Sequence, residues 1–168
     1  MEVVVHHPFF KRLGLTPEQL RQQRWFTLFG ERLLAPRLWQ ATPVALSGAM
    51  AAGLFTAWVP LPMHSLLAVV LALFFGLNLP LALLAVWFNN PATLPFMYLV
   101  AYETGCRLLG ITPEHFHLIW SVRWFEQEAG RLLPPFLTGS LLLGLISALL
   151  GYLITLCAVR VWRYWIAR

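Results

Sequence analysis

The sequence predicts an all-α integral membrane protein made of short broken transmembrane or re-entrant helices and two amphipathic helices in the membrane interface. Its 168 residues are 59% hydrophobic and 11% charged, whereas about a quarter of the residues in a soluble domain are charged. The mean hydropathy is +0.68. Residues 39–102 and 132–159 contain no Lys, Arg, Asp or Glu, so both runs are suited to lipid rather than to water.

The distribution of charge indicates which surface the protein meets. Twelve Lys and Arg outweigh seven Asp and Glu, and the basic residues gather near the two ends of the chain. We therefore expect anionic membrane lipids, and not nucleic acid, as partners. Cys106 and Cys157 lack the spacing of a disulfide framework or a zinc site, so we expect inert, buried thiols, with no metal and no cofactor.

The predicted single membrane domain, residues 1–168, opens with a cytoplasmic arm and an interfacial helix within residues 1–40. Thr16-Pro17-Glu18 is typical of a helix start, with a capping Thr, a Pro in the first turn and an acid at the positive end of the dipole. No secretory signal pattern precedes it, so we expect this segment to stay with the chain. By the positive-inside rule, six basic residues place this end in the cytoplasm: Lys11, Arg12, Arg21, Arg24, Arg32 and Arg37.

Residues 43–106 form the predicted broken-helix core. Proline and asparagine interrupt it at residues 60–64, 78–80 and 89–91, because proline has no N–H to donate and disfavours helix at the residue before it. Each resulting segment is shorter than the ~20 residues of a full crossing. We expect one crossing plus a re-entrant hairpin; three short crossings are the alternative.

The break at Asn89-Asn90-Pro91-Ala92-Thr93 is the centre of the predicted site. Backbone groups freed by a break need partners at membrane depth, so we expect the three breaks to converge on one polar spot inside the protein. The alternative is that the asparagines only cap helices. The predicted substrate-binding residues, with no catalytic or metal-binding residue among them, are Asn78, Asn89, Asn90, Pro91, Thr93, Pro60, Pro62, His64, Tyr98, Tyr102 and Glu103.

A helix is predicted after Leu94-Pro95. Tyr98 and Tyr102 are one turn apart on it, so their phenols lie on one face. Glu103 is the first acid after the long uncharged run. It is a candidate for proton or cation handling, but an ion pair with Arg107 four residues on is the favoured interpretation.

Two short segments of the chain resemble each other. Gly110-Ile111-Thr112-Pro113-Glu114 repeats Gly14-Leu15-Thr16-Pro17-Glu18 with one substitution. This favours an inverted repeat, with chance convergence of two amphipathic helices as the alternative. The second interfacial helix is predicted at residues 112–131 on the periplasmic side, followed by a transmembrane helix at 135–159 and a basic cytoplasmic tail at 160–168.

Small residues recur every four positions in both apolar runs. Two such faces are predicted to allow close helix packing, within or between subunits. They are Ala45, Ala49 and Gly53, and Ser140, Gly144 and Ala148.

Five segments between residues 39 and 110 resemble the bacterial membrane family DUF2062. They are Gly53-Leu54-Phe55, Pro60-Leu61-Pro62, Asn78-Leu79-Pro80, Trp87-Phe88-Asn89-Asn90-Pro91-Ala92-Thr93 and Tyr102-Glu103-Thr104-Gly105. The resemblance implies an inner-membrane protein of uncertain biochemistry, with some relatives joined to glycosyltransferase-like domains. The chain departs from the family pattern at His64, where members often carry Gln, and at Thr42-Pro43, where they often carry Arg.

Together these features predict a multi-pass protein of the bacterial inner membrane that binds or translocates an anionic envelope lipid or lipid-linked intermediate. The alternative is a non-catalytic scaffold or assembly factor for envelope biogenesis, with a second copy or an envelope-biogenesis enzyme as partner. We do not expect an enzyme, because the sequence has no HExxH, no GxSxG, no paired carboxylates and no Gly-rich phosphate loop.

Overall fold

The computed structural model describes residues 32–33, 35–59, 64–112 and 122–166, with side chains from residue 130 onwards in the last range. Within these ranges every regular element is helical, which confirms the all-α prediction. A short 3-10 turn at Pro36–Leu38 precedes five α-helices. They are α1 Pro43–Ala57, α2 His64–Phe75, α3 Leu79–Val86, α4 Leu94–Leu109 and α5 Val122–Ile166.

The predicted breaks become helix boundaries. Helices α1, α2 and α3 contain 15, 12 and 8 residues, each too few to cross a bilayer on its own. The Thr42 hydroxyl caps α1 by accepting from the Ala45 N–H at 3.2 Å. The Asn78 side chain caps α3 by accepting from the Leu81 N–H at 3.0 Å. Both caps precede a proline in the first turn, where its missing N–H costs nothing.

Helices α1, α2 and α3 run up, down and up beside one another. Helices α1 and α3 begin together, because the Asn78 N–H donates to the Ala45 carbonyl at 3.2 Å. Helix α2 ends at this same level, where Gln40 donates to the Gly76 carbonyl at 3.3 Å. Helices α1 and α3 also end together, because the Asn89 side chain donates to the Ala57 carbonyl at 2.8 Å. The buried cluster between them includes Leu33, Leu38, Trp39, Ala49, Val69, Ala72, Leu79 and Ala82.

The long helix α5 packs against α1 along one half of its length. Helix α1 runs antiparallel to α5. Trp58, at the end of α1, donates its indole N–H to the Ser147 hydroxyl at 2.9 Å. Arg163, near the end of α5, donates to the Ala41 carbonyl, just before α1, at 2.8 Å. Gly144 and Gly151 of α5 lie against α1 side chains between or near these points.

Helix α4 covers the other half of α5. The two helices meet backbone to backbone, since a Cβ on Gly105 would clash with the Pro135 carbonyl and one on Gly139 would clash with the Ala101 carbonyl. Helix α4 also runs antiparallel to α5, because Ala101 meets Gly139 and Gly105 meets Pro135. Helices α1 and α4 therefore lie one after the other along the same long helix.

The division into a second interfacial helix at 112–131, a transmembrane helix at 135–159 and a tail at 160–168 stays a prediction, and one helix runs through most of these residues. Helix α5 is continuous from Val122 to Ile166, through Pro134 and Pro135. A proline inside a helix leaves the carbonyl four residues back without a donor, and its ring crowds that carbonyl, so it kinks or weakens the helix unless other contacts compensate. Here Pro135 is buried under Gly105 of α4, so packing holds the helix together across this point.

Within the described residues, one helix is long and apolar enough to cross a membrane, namely Gly130–Ile166 of α5. Only 11% of its most apolar window is buried inside the protein, unlike the core helix of a soluble domain. The predictions for residues 1–31, for Pro60 and Pro62, and for the repeated Thr-Pro-Glu segments beyond Thr112 lie outside the described residues.

Candidate functional site at the polar junction

The segment that joins α3 to α4, residues 87–93, is called here the polar junction. Asn90 folds it into a tight turn, because its side-chain oxygen accepts from the Ala92 N–H at 2.9 Å and the Thr93 N–H at 3.2 Å. The Asn90 amide group also donates to the Trp87 carbonyl at 3.2 Å. An asparagine that bonds to backbone groups a few residues ahead is a common way to build a turn.

Thr93 closes the same turn from its other side. Its hydroxyl donates to the Phe88 carbonyl at 2.7 Å and accepts from the Asn90 N–H at 3.0 Å. Pro91 is exposed at the tip of the turn. The backbone groups that a broken helix leaves without partners are thus satisfied largely by the side chains of the break itself.

Asn89 makes the contact that leaves the junction. Its side chain donates to the carbonyl of Ala57, the last residue of α1. Carbonyls in the last turn of a helix have no partner within the helix. The bond therefore fastens the end of α1 to the end of α3, and it places the polar junction beside the Trp58–Ser147 contact on α5.

The position of Ser147 locates the junction along α5. At 1.5 Å per residue, Ser147 lies about 22 Å from the start of the uncharged run at Leu132 and about 18 Å from its end at Val159. The polar junction consequently lies close to the middle of the longest uncharged helical stretch that the structure describes.

The expectation that Asn78 shares one polar spot with Asn89 and Asn90 is wrong. Asn78 lies at the opposite end of α3 from Asn89, where its amide donates to the Gln40 carbonyl at 2.9 Å. Helix α3 alone separates the two by about 12 Å. The capping interpretation thus holds for Asn78, and Asn90 serves its own turn, whereas Asn89 bonds to the end of α1. Residues 60–63 of the remaining break lie outside the described residues. His64 begins α2 and is half-buried.

The remaining predicted residues lie on α4, away from the junction. Tyr98 packs edge-to-face on Phe136 with ring centroids 4.9 Å apart, and Tyr102 is buried. Glu103 and Arg107 form the expected i, i+4 ion pair at 3.7 Å. Both side chains are well exposed, so this pair contributes little to stability.

The small-residue faces are used within one chain. Ala45, Ala49 and Gly53 are buried, and a Cβ on Gly53 would lie 2.5 Å from the Ala82 carbonyl of α3. Gly144 is buried against α1, with Phe55 and Trp58 as its nearest neighbours. These contacts confirm that the small residues allow helices to approach closely.

Sequence reasoning missed the closest helix contact, between Gly105 and Pro135 and between Gly139 and Ala101. Ala101 and Gly105 have the same four-residue spacing as the faces it recognised, and this signal could have found them. Sequence reasoning also assigned both thiols to the interior. Cys106 is buried, but Cys157 is exposed on α5.

Outside the basic residues, no second candidate site is found among the polar side chains of the described residues. The buried Ser140 hydroxyl has no hydrogen-bond partner within the described part of the chain. Nor do the described residues bring together three His, Cys, Asp or Glu side chains that could hold a metal.

The fold and the junction define the class of this protein, an all-helical assembly built along one long apolar helix that is a candidate membrane span. The family model of DUF2062, described as an uncharacterized protein conserved in bacteria, matches residues 26–168. The chain belongs to this family, which extends the resemblance noted in the sequence to most of its length. No match was found among curated proteins or among solved structures.

Proposed function

We propose that this chain is a multi-pass protein of the bacterial inner membrane that binds or translocates an anionic envelope lipid or lipid-linked intermediate, without enzymatic activity. Helices α1 and α2 form a hairpin that enters from the cytoplasmic side and returns. Helices α3 and α4 cross as two half-helices joined by the polar junction, and α5 crosses back. This path returns the chain to the cytoplasmic side, as the basic residues near both of its ends favour.

The proposal rests on where the short helices end along the length of α5. The ends of α1 and α3 and the start of α4 lie beside Ser147, near the middle of the uncharged run of α5. Half of a ~30 Å hydrocarbon layer is about 15 Å, or about ten helical residues. The 8 residues of α3 and the uncharged first part of α4 suit such half-crossings.

Discontinuous helices that meet at mid-depth are a recurrent way to build transport sites. They expose backbone N–H and C=O groups in the bilayer, where few other polar groups exist. In this chain, Arg37, Arg160 and Arg163 also gather at one end of α5. The arginines would attract an anionic headgroup at the membrane surface, and the polar junction would offer it polar groups halfway across the bilayer.

A specific observation favours the second candidate, a non-transporting scaffold or assembly factor. The side chains of Asn89, Asn90 and Thr93 are all bonded to backbone groups of the same chain. A junction whose polar groups are already satisfied has less to offer a headgroup. It would instead hold helices in a fixed arrangement for a second copy or an envelope enzyme.

Movement of labelled lipid in liposomes separates the two candidates. We expect purified protein in vesicles of phosphatidylcholine and phosphatidylglycerol to speed the transfer of fluorescent phosphatidylglycerol between leaflets. Asn89→Ala should slow it while Asn78→Ala, the matched asparagine at the other end of α3, should slow it less at equal folded fraction. No acceleration by the unaltered protein would reject transport and leave the scaffold.

A further inference from the structure

An open groove lies at the basic end of the bundle, between the start of α1 and the end of α5. Its volume is about 660 Å³, within the range of small-molecule sites. Its lining is almost entirely apolar, apart from Arg163. The apolar lining consists of Ala41, Leu46, Ala158, Val159, Trp162 and Ile166.

We propose that this groove holds an acyl chain of an anionic phospholipid, with the lipid phosphate bound by Arg163. The assignment rests on the proposed membrane location, but it requires no transport. A guanidinium has five N–H donors and binds phosphate oxygens in pairs. Arg163 uses one nitrogen on the Ala41 carbonyl at 2.8 Å, which fixes the side chain at the groove. Its other donors remain for a headgroup.

Charge at this end of the protein favours an anion. Arg160 is exposed one turn before Arg163, and Arg37 lies beside the end of α2, where it donates to the Leu73 carbonyl. Across the residues whose side chains are described, the one carboxylate is that of Glu103, paired with Arg107 on α4. Helix α4 packs against the half of α5 that lies away from the groove, so Glu103 is distant from Arg163. Arg163 therefore has no described carboxylate to neutralise it.

The surroundings of the groove favour a lipid over other apolar occupants. Trp162, Tyr164 and Trp165 are exposed just past the uncharged run, as in the aromatic belt at a membrane surface. Leu46 and Val159 lie on the apolar side of Arg163, so a chain in the groove would extend into the bilayer from a headgroup at the arginine. A second copy docked here by two-fold symmetry would bring two sets of arginines together, which like charges oppose.

The test uses the full-length protein in nanodiscs of phosphatidylcholine and phosphatidylglycerol. A trace of either lipid carries a photoreactive diazirine on its acyl chain, and cross-linked peptides are mapped by mass spectrometry. Both lipids carry a phosphate, but the choline cation of phosphatidylcholine offsets its charge. We therefore expect phosphatidylglycerol to label the groove residues about fivefold more, the factor that corresponds to one arginine near a net anionic headgroup.

Two matched pairs of variants give the control. Arg163→Gln should remove most of the preference for phosphatidylglycerol, whereas Arg160→Gln, outside the groove lining, should weaken it less. Ala158→Phe fills the groove and should reduce labelling by both lipids, whereas Cys157→Phe, on the exposed neighbouring position, should not. Thermal unfolding of each variant shows whether it is folded.

Equal labelling by the two lipids, or labelling unchanged in folded Ala158→Phe and Arg163→Gln, would overturn the proposal. Little labelling of the groove by either lipid in a protein that elutes from a sizing column as a dimer would overturn it as well, in favour of a second copy. Groove labelling without lipid movement in liposomes would reject transport and leave this lipid site standing. Failure of the site and failure of the proposed function are thus separate results.

Discussion

Asn89 and Asn90 are adjacent, yet their side chains stabilise different contacts. Asn90 bonds only within its own turn, whereas Asn89 bonds to α1, 32 residues earlier in the chain. The sequence marks both as polar residues in an apolar run, but it does not say which one reaches another helix. Which asparagine reaches α1 depends on how α3 lies against α1. Hydrogen bonds at both ends of α3 fix that arrangement, from Asn78 to the Ala45 carbonyl and from Asn89 to the Ala57 carbonyl.

Replacing Asn89 by Ala should destabilise the fold measurably. The change leaves the Ala57 carbonyl without its partner in an apolar setting, at a cost of about 1–3 kcal/mol. Reversible unfolding in detergent, followed by circular dichroism, measures this loss. Ala92→Ser, at an exposed position in the same turn, should change stability by no more than about 0.5 kcal/mol. Equal stability of Asn89→Ala and the unaltered protein would mean that the contact does not hold α1 and α3 together.

At the scale of helices, proline and asparagine predicted where α1, α3 and α4 begin. The boundaries at Pro43, Asn78 and Pro95 follow from local chemistry that the sequence carries by itself. The error about Asn78 and Asn89 was avoidable, because an 8-residue helix between them keeps them about 12 Å apart. The continuity of α5 through Pro134 and Pro135 could not be predicted from the sequence, because it depends on packing against α4.

The contact between α4 and α5 predicts a sharp difference between two glycines. Gly105→Ala should destabilise the protein by several kcal/mol or force the helices apart, because its Cβ would meet the Pro135 backbone. Gly130→Ala, on α5 with nothing within 4 Å of its Cβ, should be neutral or stabilising by up to about 1 kcal/mol. Unfolding in detergent and elution volume on a sizing column compare them. Similar behaviour of the two variants would contradict the close approach.

At the scale of the whole molecule, the charge pattern predicted that both ends of the chain lie on one side of the membrane, and this topology stays a prediction. Helices α1 and α3 start, and α2 and α5 end, at the level of Arg37 and Arg163, and α4 leads away from it. What the sequence could not supply was the level of the polar junction, since this depends on which residue of α5 faces Trp58. The polar junction is a candidate mid-membrane site because it lies beside Ser147, near the middle of the uncharged run of α5.

The depth of the polar junction in a bilayer tests this account most directly. A nitroxide on Ala92, introduced as a cysteine after Cys106→Ala and Cys157→Ala, reports depth through its exposure to oxygen and to a water-soluble nickel complex. A second nitroxide at Trp165 serves as the surface reference. We expect the Ala92 label to be exposed to oxygen, shielded from nickel and about 25 Å deeper than the reference, because 18 helical residues of α5 separate Trp165 from Ser147 beside the junction. An Ala92 label as shallow as the one at Trp165 would contradict the half-helix crossing and the transport site built on it.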